Sequence, residues 1–325
     1  MIEAQTIDSP YEVATWRGFT EAAITYTFDD GCPNQYVIAI PMLNKLNFNG
    51  TFFIVTTWSP KWSALRDAAA QGQEVASHTV THPNLGKISE AEQKMELENS
   101  YDTIQAHIPG LHGMTMAYPY CVRGIDSLTS ACYFAARGCQ GFIERSTPAD
   151  FLNISSIICG NLGAVKTFID FKTKDEAAAA SGGWCVYLIH GIDNDGGYSP
   201  LSSDTMRKGL EYLNVNRDKY WVETFGNVVR YIRERNSLFI KEPETTGSAI
   251  RIQVGDTLPD GIYNYPVTIR RPLPEKWKNV TGWQNRKELS TKIVTSGQKN
   301  YVQFDVIPNK GEVTLKKNNQ LVINP

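Results

Sequence analysis

No stretch of this 325-residue sequence is long and apolar enough to cross a bilayer. Its longest apolar runs, such as Trp184–Ile189, fall far short of the ~20 residues a spanning helix needs. There is no basic excess either. Lys and Arg number 32 against 34 Asp and Glu, for a net charge of -2, which excludes the electrostatic footprint of a nucleic-acid-binding protein. Cysteine is sparse: Cys32, Cys121, Cys132, Cys139, Cys159 and Cys185 form no CxxC pair. A zinc ribbon or a dithiol redox motif is therefore not expected. An even count suits disulfides in an exported protein, but a chain able to bury a large core does not require them, and the pairing stays open. Internal repeats are absent, and the Ala177–Ala180 run is the extent of low complexity. Residues Met1–Pro10 lack a signal-peptide pattern, which leaves a mature exported protein and a cytosolic one both open. Asn49-Gly-Thr, Asn153-Ile-Ser and Asn279-Val-Thr match the glycosylation triplet, a pattern that arises often by chance.

What is present is an ordinary globular composition, 42 % hydrophobic and 20 % charged, enough for one large domain and a small one. Up to about residue 240 strand-like and helix-like segments alternate. Ala22–Phe28, Thr51–Val55, Glu74–Ser77, Met114–Tyr118 and Trp184–Ile189 read as strands. Helices are expected at Met42–Asn47, at Ala64–Gln71, and from the capping box Ser89–Glu92 to about His107. Further helices are expected over Ser127–Arg137, Ser203–Val215 and Thr224–Arg235. This order predicts an α/β fold with a parallel sheet covered by helices, open or closed into a barrel. In either form functional groups gather at the carboxyl ends of the strands. After about Ser237 the pattern turns to short β-prone segments (Ile250–Val254, Tyr265–Arg270, Tyr301–Val306, Glu312–Lys316) punctuated by Gly, Pro and Asn. These predict a small all-β sandwich over 241–325, with Pro243–Ser248 as its linker.

Two adjacent carboxylates, Asp29 and Asp30, end the first strand. Side by side they repel when ionised, so a compensating cation is required. His78 and His82, four apart in SHTVTHP and also after a strand, supply with one carboxylate a donor set for zinc or another borderline divalent metal. The second carboxylate is then free to serve as a general base. Taken alone, Asp-Asp-Gly is more often a polar turn and HxxxH more often incidental; the two together at strand ends point to a metal. His190 follows another strand. By itself it is as easily a hydrogen-bonded strand-end imidazole as a proton donor to a leaving group. His107 and His112 receive no role, and Asp193 and Asp195 read as solvated loop residues.

TFDDG, HTVTH, YPY and LIH, in this order and spacing, resemble the polysaccharide deacetylases of carbohydrate esterase family 4. The resemblance runs over about Ala22–Arg235 and includes Phe48–Phe53 (FNGTFF) and the WVETFGNVVRYIRER stretch. It implies a distorted (β/α) barrel with fewer than eight strands, and a deacetylase acting on an acetylated polysaccharide or oligosaccharide. It implies Asp29 as base, and Asp30, His78 and His82 as ligands of a divalent metal, Zn²⁺ first and Co²⁺ or Ni²⁺ as alternatives. By the same resemblance the Tyr120 N–H holds the oxyanion, His190 is the general acid, and Leu188 lines the acetyl pocket with Tyr118 and Pro119. A secreted or periplasmic location is expected, with the leader outside this sequence.

Two departures stand out. The family places an arginine two residues before the YP proline, where it pairs with the base; here that residue is Ala117. Arg137 is the candidate replacement, and its alternative is a surface arginine at a helix end. The Asp-x-x-Asp-Trp stretch that orients the acid histidine is also missing, and no residue replaces it. Esters have the better leaving group and ask less of the acid, so O-acetyl xylan-type substrates are favoured over N-acetylglucosamine polymers. The alternatives are a carbohydrate-binding protein that has kept its metal site, a sugar-modifying metalloenzyme of another class, and an interaction module. In the last, Tyr263, Tyr265, Trp277 and Trp283 of the tail would stack on sugars, although such aromatics are more often core.

Overall fold

The structure, a computed structural model, describes residues 6–7, 10–111 and 113–318. It has two compact units. One is Thr20–Val229; the other draws on both ends of the chain, up to Phe19 and from Arg230 onward, instead of a single stretch beginning near 241. The division falls inside the helix Phe225–Ser237.

The larger unit is built on parallel strands β1 (Ala22–Asp29), β2 (Thr51–Ile54), β3 (Glu74–Ser77), β4 (Thr115–Ala117), β5 (Ala135–Arg137), β6 (Ile157–Ile158), β7 (Trp184–Ile189) and β8 (Tyr220–Val222). Their order is β5-β4-β3-β2-β1-β7-β6, with β8 beside the first half of β1. All eight residues of β1 are buried. That fits a central strand with neighbours on both edges, for which a run of β-branched and aromatic residues is suited. The sheet curls until its ends approach. Ile154 pairs with Arg137 at the end of β5, and four residues later Ile158 pairs with Leu188 of β7. The result is the distorted barrel expected, with the C-terminal strand ends converging at one mouth.

Helices α1 (Ile40–Lys45), α2 (Trp62–Ala70), α3 (Glu90–His107), α4 (Asp126–Cys132), α5 (Phe168–Ser181) and α6 (Ser203–Val215) fill the crossovers. The Ser89–Glu92 capping box opens α3. A second box, Thr167 with Asp170, opens α5, and Gly182 at φ 62° ends it; this helix was not anticipated, although its T-x-x-D signature is in the sequence. The helix expected over Ser127–Arg137 needs correction. It stops at Cys132, and Ala135–Arg137 is a strand. Pairing of Thr115 with Ala135 and of Ala117 with Arg137 buries that segment against β4, so tertiary context overrides the helical propensity of alanine and arginine.

The second unit holds two sheets. One contains β9 (Phe239–Thr245), β10 (Ala249–Gly255), β12 (Asn279–Gln284), β13 (Lys287–Leu289) and β16 (Val313–Asn318), with Thr6–Ile7 parallel to β9. The other contains β11 (Val267–Pro272), β14 (Thr291–Ser296), β15 (Lys299–Val306) and Glu12–Val13, all antiparallel. Ile250, Ile252 and Val254 alternate inward along β10, the period of a sheet with one covered face. The linker expected at Pro243–Ser248 begins inside β9. Trp277 is buried with its indole N–H on the Gly247 carbonyl, and the Tyr265 hydroxyl accepts from Arg17. Both are packing residues here. Trp283 and Tyr263 are half-buried.

Candidate active site

The strand ends of the larger unit gather Asp29, Asp30, His78, His82, Arg137 and His190 around one cavity of about 420 Å³, lined also by Tyr118, Tyr120, Cys121, Ile158, Leu188 and Tyr198. Pro119 is buried and is not among the lining residues.

Asp29 is the last residue of β1 and is 2 % exposed. Its Oδ2 accepts from Arg137 Nη2 at 2.5 Å. Arg137, also buried, donates through Nη1 to Ser156 Oγ and lies over the Phe53 ring. The arginine absent from position 117 is thus supplied by the neighbouring strand, at the register position directly beside Ala117. Burial pushes the Asp29 carboxyl up, but Arg137, His78 and His190 together outweigh it, and its pKa falls below the ordinary value. Asp29 is therefore ionised at neutral pH.

Asp30 stands just beyond the strand, at φ 75°, a left-handed conformation uncommon for a non-glycine residue. Its Oδ1 is 3.7 Å from both His78 Nε2 and His82 Nε2. One donor atom from each of the three residues lies within 4.8 Å of the others. Without a cation this carboxyl is pushed up to about 7, by burial first and by the Asp29 charge second. Its Oδ1 is buried with no hydrogen-bond partner among the described residues. A carboxylate oxygen left bare between two imidazole nitrogens fits a divalent cation. The His78 tautomer fits as well: Nδ1 lies 2.8 Å from the Ala117 carbonyl, which takes the ring proton and leaves the Nε2 lone pair directed to the cluster. Burial lowers His78 to about 3, so the ring is neutral, as a ligand must be.

The loop carrying the histidines is held from α3. Glu96 accepts from the Val80 and Thr81 N–H groups at 2.8 and 2.9 Å and from the Thr81 hydroxyl at 2.6 Å. Gln35 joins two strand ends, donating to the carbonyls of Asp29 and His190. Neither residue stood out in the sequence. Glu96 lies on a helix outside the motifs, and Gln35, four residues after TFDDG, shows its role only through its bond to the distant His190 carbonyl.

His190 Nε2 is 3.9 Å from Asp29 Oδ2, and its ring meets Tyr198 edge-on at 5.0 Å. Nδ1 is buried without a hydrogen-bond partner among the described residues. Burial lowers its pKa, offset in part by the Asp29 charge. Tyr120, at φ 55°, is exposed and packs its ring against His82 at 4.7 Å. Cys121 and Cys139 form a disulfide at the cavity wall. Asp193 and Asp195 are not idle: Asp193 accepts from the Ser203 N–H at the start of α6, and Asp195 accepts from Gly197 and Asn34. They shape the loop after β7 and are not part of the Asp30–His78–His82 group. His107 stacks on Trp62; His112 lies outside the described residues.

The curled parallel sheet thus brings to its strand ends a carboxylate–imidazole group that could hold a divalent cation, beside a second, ionised carboxylate. Residues 17–131, about a third of the chain, match the family model described as polysaccharide deacetylase. The matched segment contains Asp29, Asp30, His78, His82 and Tyr120, and ends before Arg137 and His190. A chitooligosaccharide deacetylase of Bradyrhizobium sp. (strain ANU 289) is 31 % identical over 112 residues, 34 % of this chain and 51 % of that protein. A gellan lyase of Bacillus sp. is 26 % identical over 94 % of this chain, which spans 13 % of that protein. The chain therefore corresponds to about half the length of the first and a small part of the second. The structure of a presumed polysaccharide deacetylase from Mycobacterium smegmatis superposes with a TM-score of 0.53 at 16 % identity, covering 69 % of this chain and 94 % of that one. The fold is shared.

Proposed function

We propose that the chain is a metal-dependent hydrolase that removes acetyl groups from a polysaccharide. The observation that carries this reading is the bare Asp30 Oδ1 set 3.7 Å from two imidazole nitrogens, beside a second carboxylate held ionised by Arg137. Asp30, His78 and His82 would hold the cation, Zn²⁺ first and Co²⁺ or Ni²⁺ as alternatives. When bound it supplies Lewis-acid chemistry, activating a water and polarising the acetyl carbonyl. Asp29 takes the proton from the attacking water, and Arg137 keeps that carboxylate ionised and oriented. The backbone N–H of Tyr120 donates to the oxyanion that develops on the carbonyl. Leu188 and Tyr118 enclose the acetyl group. His190 returns a proton to the departing oxygen or nitrogen.

O-acetyl esters are the favoured substrates. His190 has no carboxylate on its Nδ1 among the described residues and burial disfavours its charged form, so the acid is weakly supported. An alkoxide leaving group asks less of it than an amine does. The half-exposed Tyr198 ring at the cavity offers a face for a sugar. The Cys121–Cys139 disulfide supports a secreted or periplasmic setting. The β unit is read as accessory, with a carbohydrate-binding role for Trp283 as the proposal to test.

The test is acetate release by metal-stripped protein reconstituted with zinc, cobalt or nickel. Substrates are acetylated xylan, chitin oligomers and acylated gellan, with Asp29→Asn as control. Metal-dependent release that disappears in the control supports the reading. Tight metal binding with no acetate from any substrate favours the alternative, a carbohydrate-binding protein that has kept its metal site.

A further inference from the structure

The Cys121–Cys139 disulfide joins two segments to which the proposed chemistry gives different tasks. Cys121 follows Tyr120, the proposed oxyanion donor; Cys139 follows Arg137, which holds Asp29, by two residues. The Cα atoms are 5.7 Å apart, inside the span a disulfide requires.

The second anchor is rigid without the bridge. Beyond Arg137, the Gly138 N–H donates to Ile154 and the Gly138 carbonyl accepts from Ser156 Oγ. The first anchor is held as far as Tyr118 and Pro119, which are buried and of which Tyr118 donates its hydroxyl to the Leu152 carbonyl, but less firmly beyond them, where the Tyr120 ring meets His82 edge-on. The β4–β5 ladder ends at Ala117 and Arg137, with one further bond from the Tyr118 N–H to the Arg137 carbonyl. Past that point the chain takes two successive non-glycine residues into the left-handed region, Tyr120 at φ 55° and Cys121 at φ 60°. Such conformations persist only where the surroundings over-determine them. The turn's own bonds, Cys121 N–H to Tyr118 and Val122 N–H to Pro119, are local and are open to competition from water, since Tyr120 and Cys121 are exposed. The disulfide is the covalent tie from this turn to the scaffold.

We infer that the Cys121–Cys139 disulfide is a positioning element of the site, fixing the Tyr120 N–H relative to the Arg137–Asp29 pair, so that the oxidised form is the competent one. The inference rests on the deacetylase reading above. Asp30, His78 and His82 lie just after β1 and in the loop after β3, outside the bridged segments. The Tyr120 ring touches His82, but none of the three donor atoms is held by the bridge, so the cation is expected to stay bound when it is cut. Cys121 lines the cavity and is exposed, which leaves the bond open to reductant. A water-soluble phosphine breaks it cleanly: the sulfur–sulfur bond becomes two thiols, and the phosphine becomes its oxide with oxygen taken from water.

The experiment compares cobalt-loaded full-length protein in three forms: oxidised, phosphine-reduced, and the Cys121→Ser/Cys139→Ser double variant. Without the bridge kcat is expected to fall at least about ten-fold, less than the roughly hundred- to thousand-fold cost of losing an oxyanion donor outright because the N–H is displaced and not removed, with KM little changed. Amide exchange over Tyr118–Val122 accelerates, the cobalt absorption is retained, and reoxidation restores kcat. Unchanged kcat and unchanged exchange in protein shown by mass to carry free thiols would overturn the inference. So would active protein in which the two cysteines are unlinked. If the double variant does not fold, the reduction and reoxidation arms decide. If the oxidised protein releases no acetate from any substrate, the deacetylase reading fails, and the exchange rates still decide whether the bridge positions the turn.

Discussion

The Arg137 guanidinium and the Asp29 carboxylate meet at 2.5 Å across 108 residues of sequence, both almost fully buried. A buried charge is tolerated when paired, and removing one partner of such a pair costs about 3–5 kcal/mol. Arg137→Ala is therefore expected to reduce thermal stability, and, by disorienting the base, to lower kcat/KM about a hundred-fold, the low end of what a positioned general base contributes. Arg137→Lys should recover only part of either. The variants also carry a pH signature. Arg137 lowers the Asp29 pKa, so its loss raises that pKa, and the acid side of the kcat/KM profile moves to higher pH. An unmoved acid limb in the residual activity of Arg137→Ala or Arg137→Gln, which remove the charge, would mean that Asp29 is not the base.

Cation binding should release a proton near neutrality. With the site empty, Asp30 sits at about 7, and a ligand must be deprotonated to bind. Apparent affinity should therefore rise with pH up to about 7 and flatten above it. Calorimetry in two buffers of different ionisation enthalpy measures the released proton. His78→Ala or His82→Ala should abolish stoichiometric binding.

Glu96 acts on the same site from outside it, through three hydrogen bonds to Val80 and Thr81. Glu96→Ala is expected to weaken metal affinity by roughly ten- to a hundred-fold, the usual effect of loosening a ligand's support. Circular dichroism should stay unchanged while metal competition titrations report the loss.

Asp175 on α5 is buried, accepts from the Tyr187 hydroxyl, and is pushed up to about 8, mainly by burial. Between its ordinary value near 4 and 8, the folded chain keeps a proton that the unfolded chain has lost. Unfolding releases it, so this group makes stability fall as pH rises through that window. Asp175→Asn keeps an acceptor for Tyr187 and removes the penalty. Its denaturant midpoint should exceed that of the wild type at pH 8 and converge with it towards pH 4. A difference independent of pH would refute the ionisation account.

Tyr198 lines the cavity half-exposed, with its edge against His190. Tyr198→Ala should raise KM for acetylated oligomers by roughly three- to ten-fold, the worth of one aromatic contact, with a smaller change in kcat. An unaltered KM would remove this ring from the sugar-binding surface.

The sequence by itself determined the alternation of β and α, the strand Ala22–Phe28, and the carboxylates and imidazoles at strand ends. These follow from local patterns: side-chain period, capping residues, and motifs in which neighbours in sequence are neighbours in space. The tertiary structure decided the rest. Ala135–Arg137 became a strand because β4 offered an unpaired edge, and that same pairing carried Arg137 to the carboxylate that Ala117 leaves without a guanidinium. The hold of Glu96 on the histidine loop and the Cys121–Cys139 pairing join positions more than a dozen residues apart, and the reach of Gln35 to His190 and the recruitment of the N-terminal residues into the β unit join positions far apart in the chain. Such contacts leave no periodic trace, since they depend on where the backbone returns and not on what stands next to it.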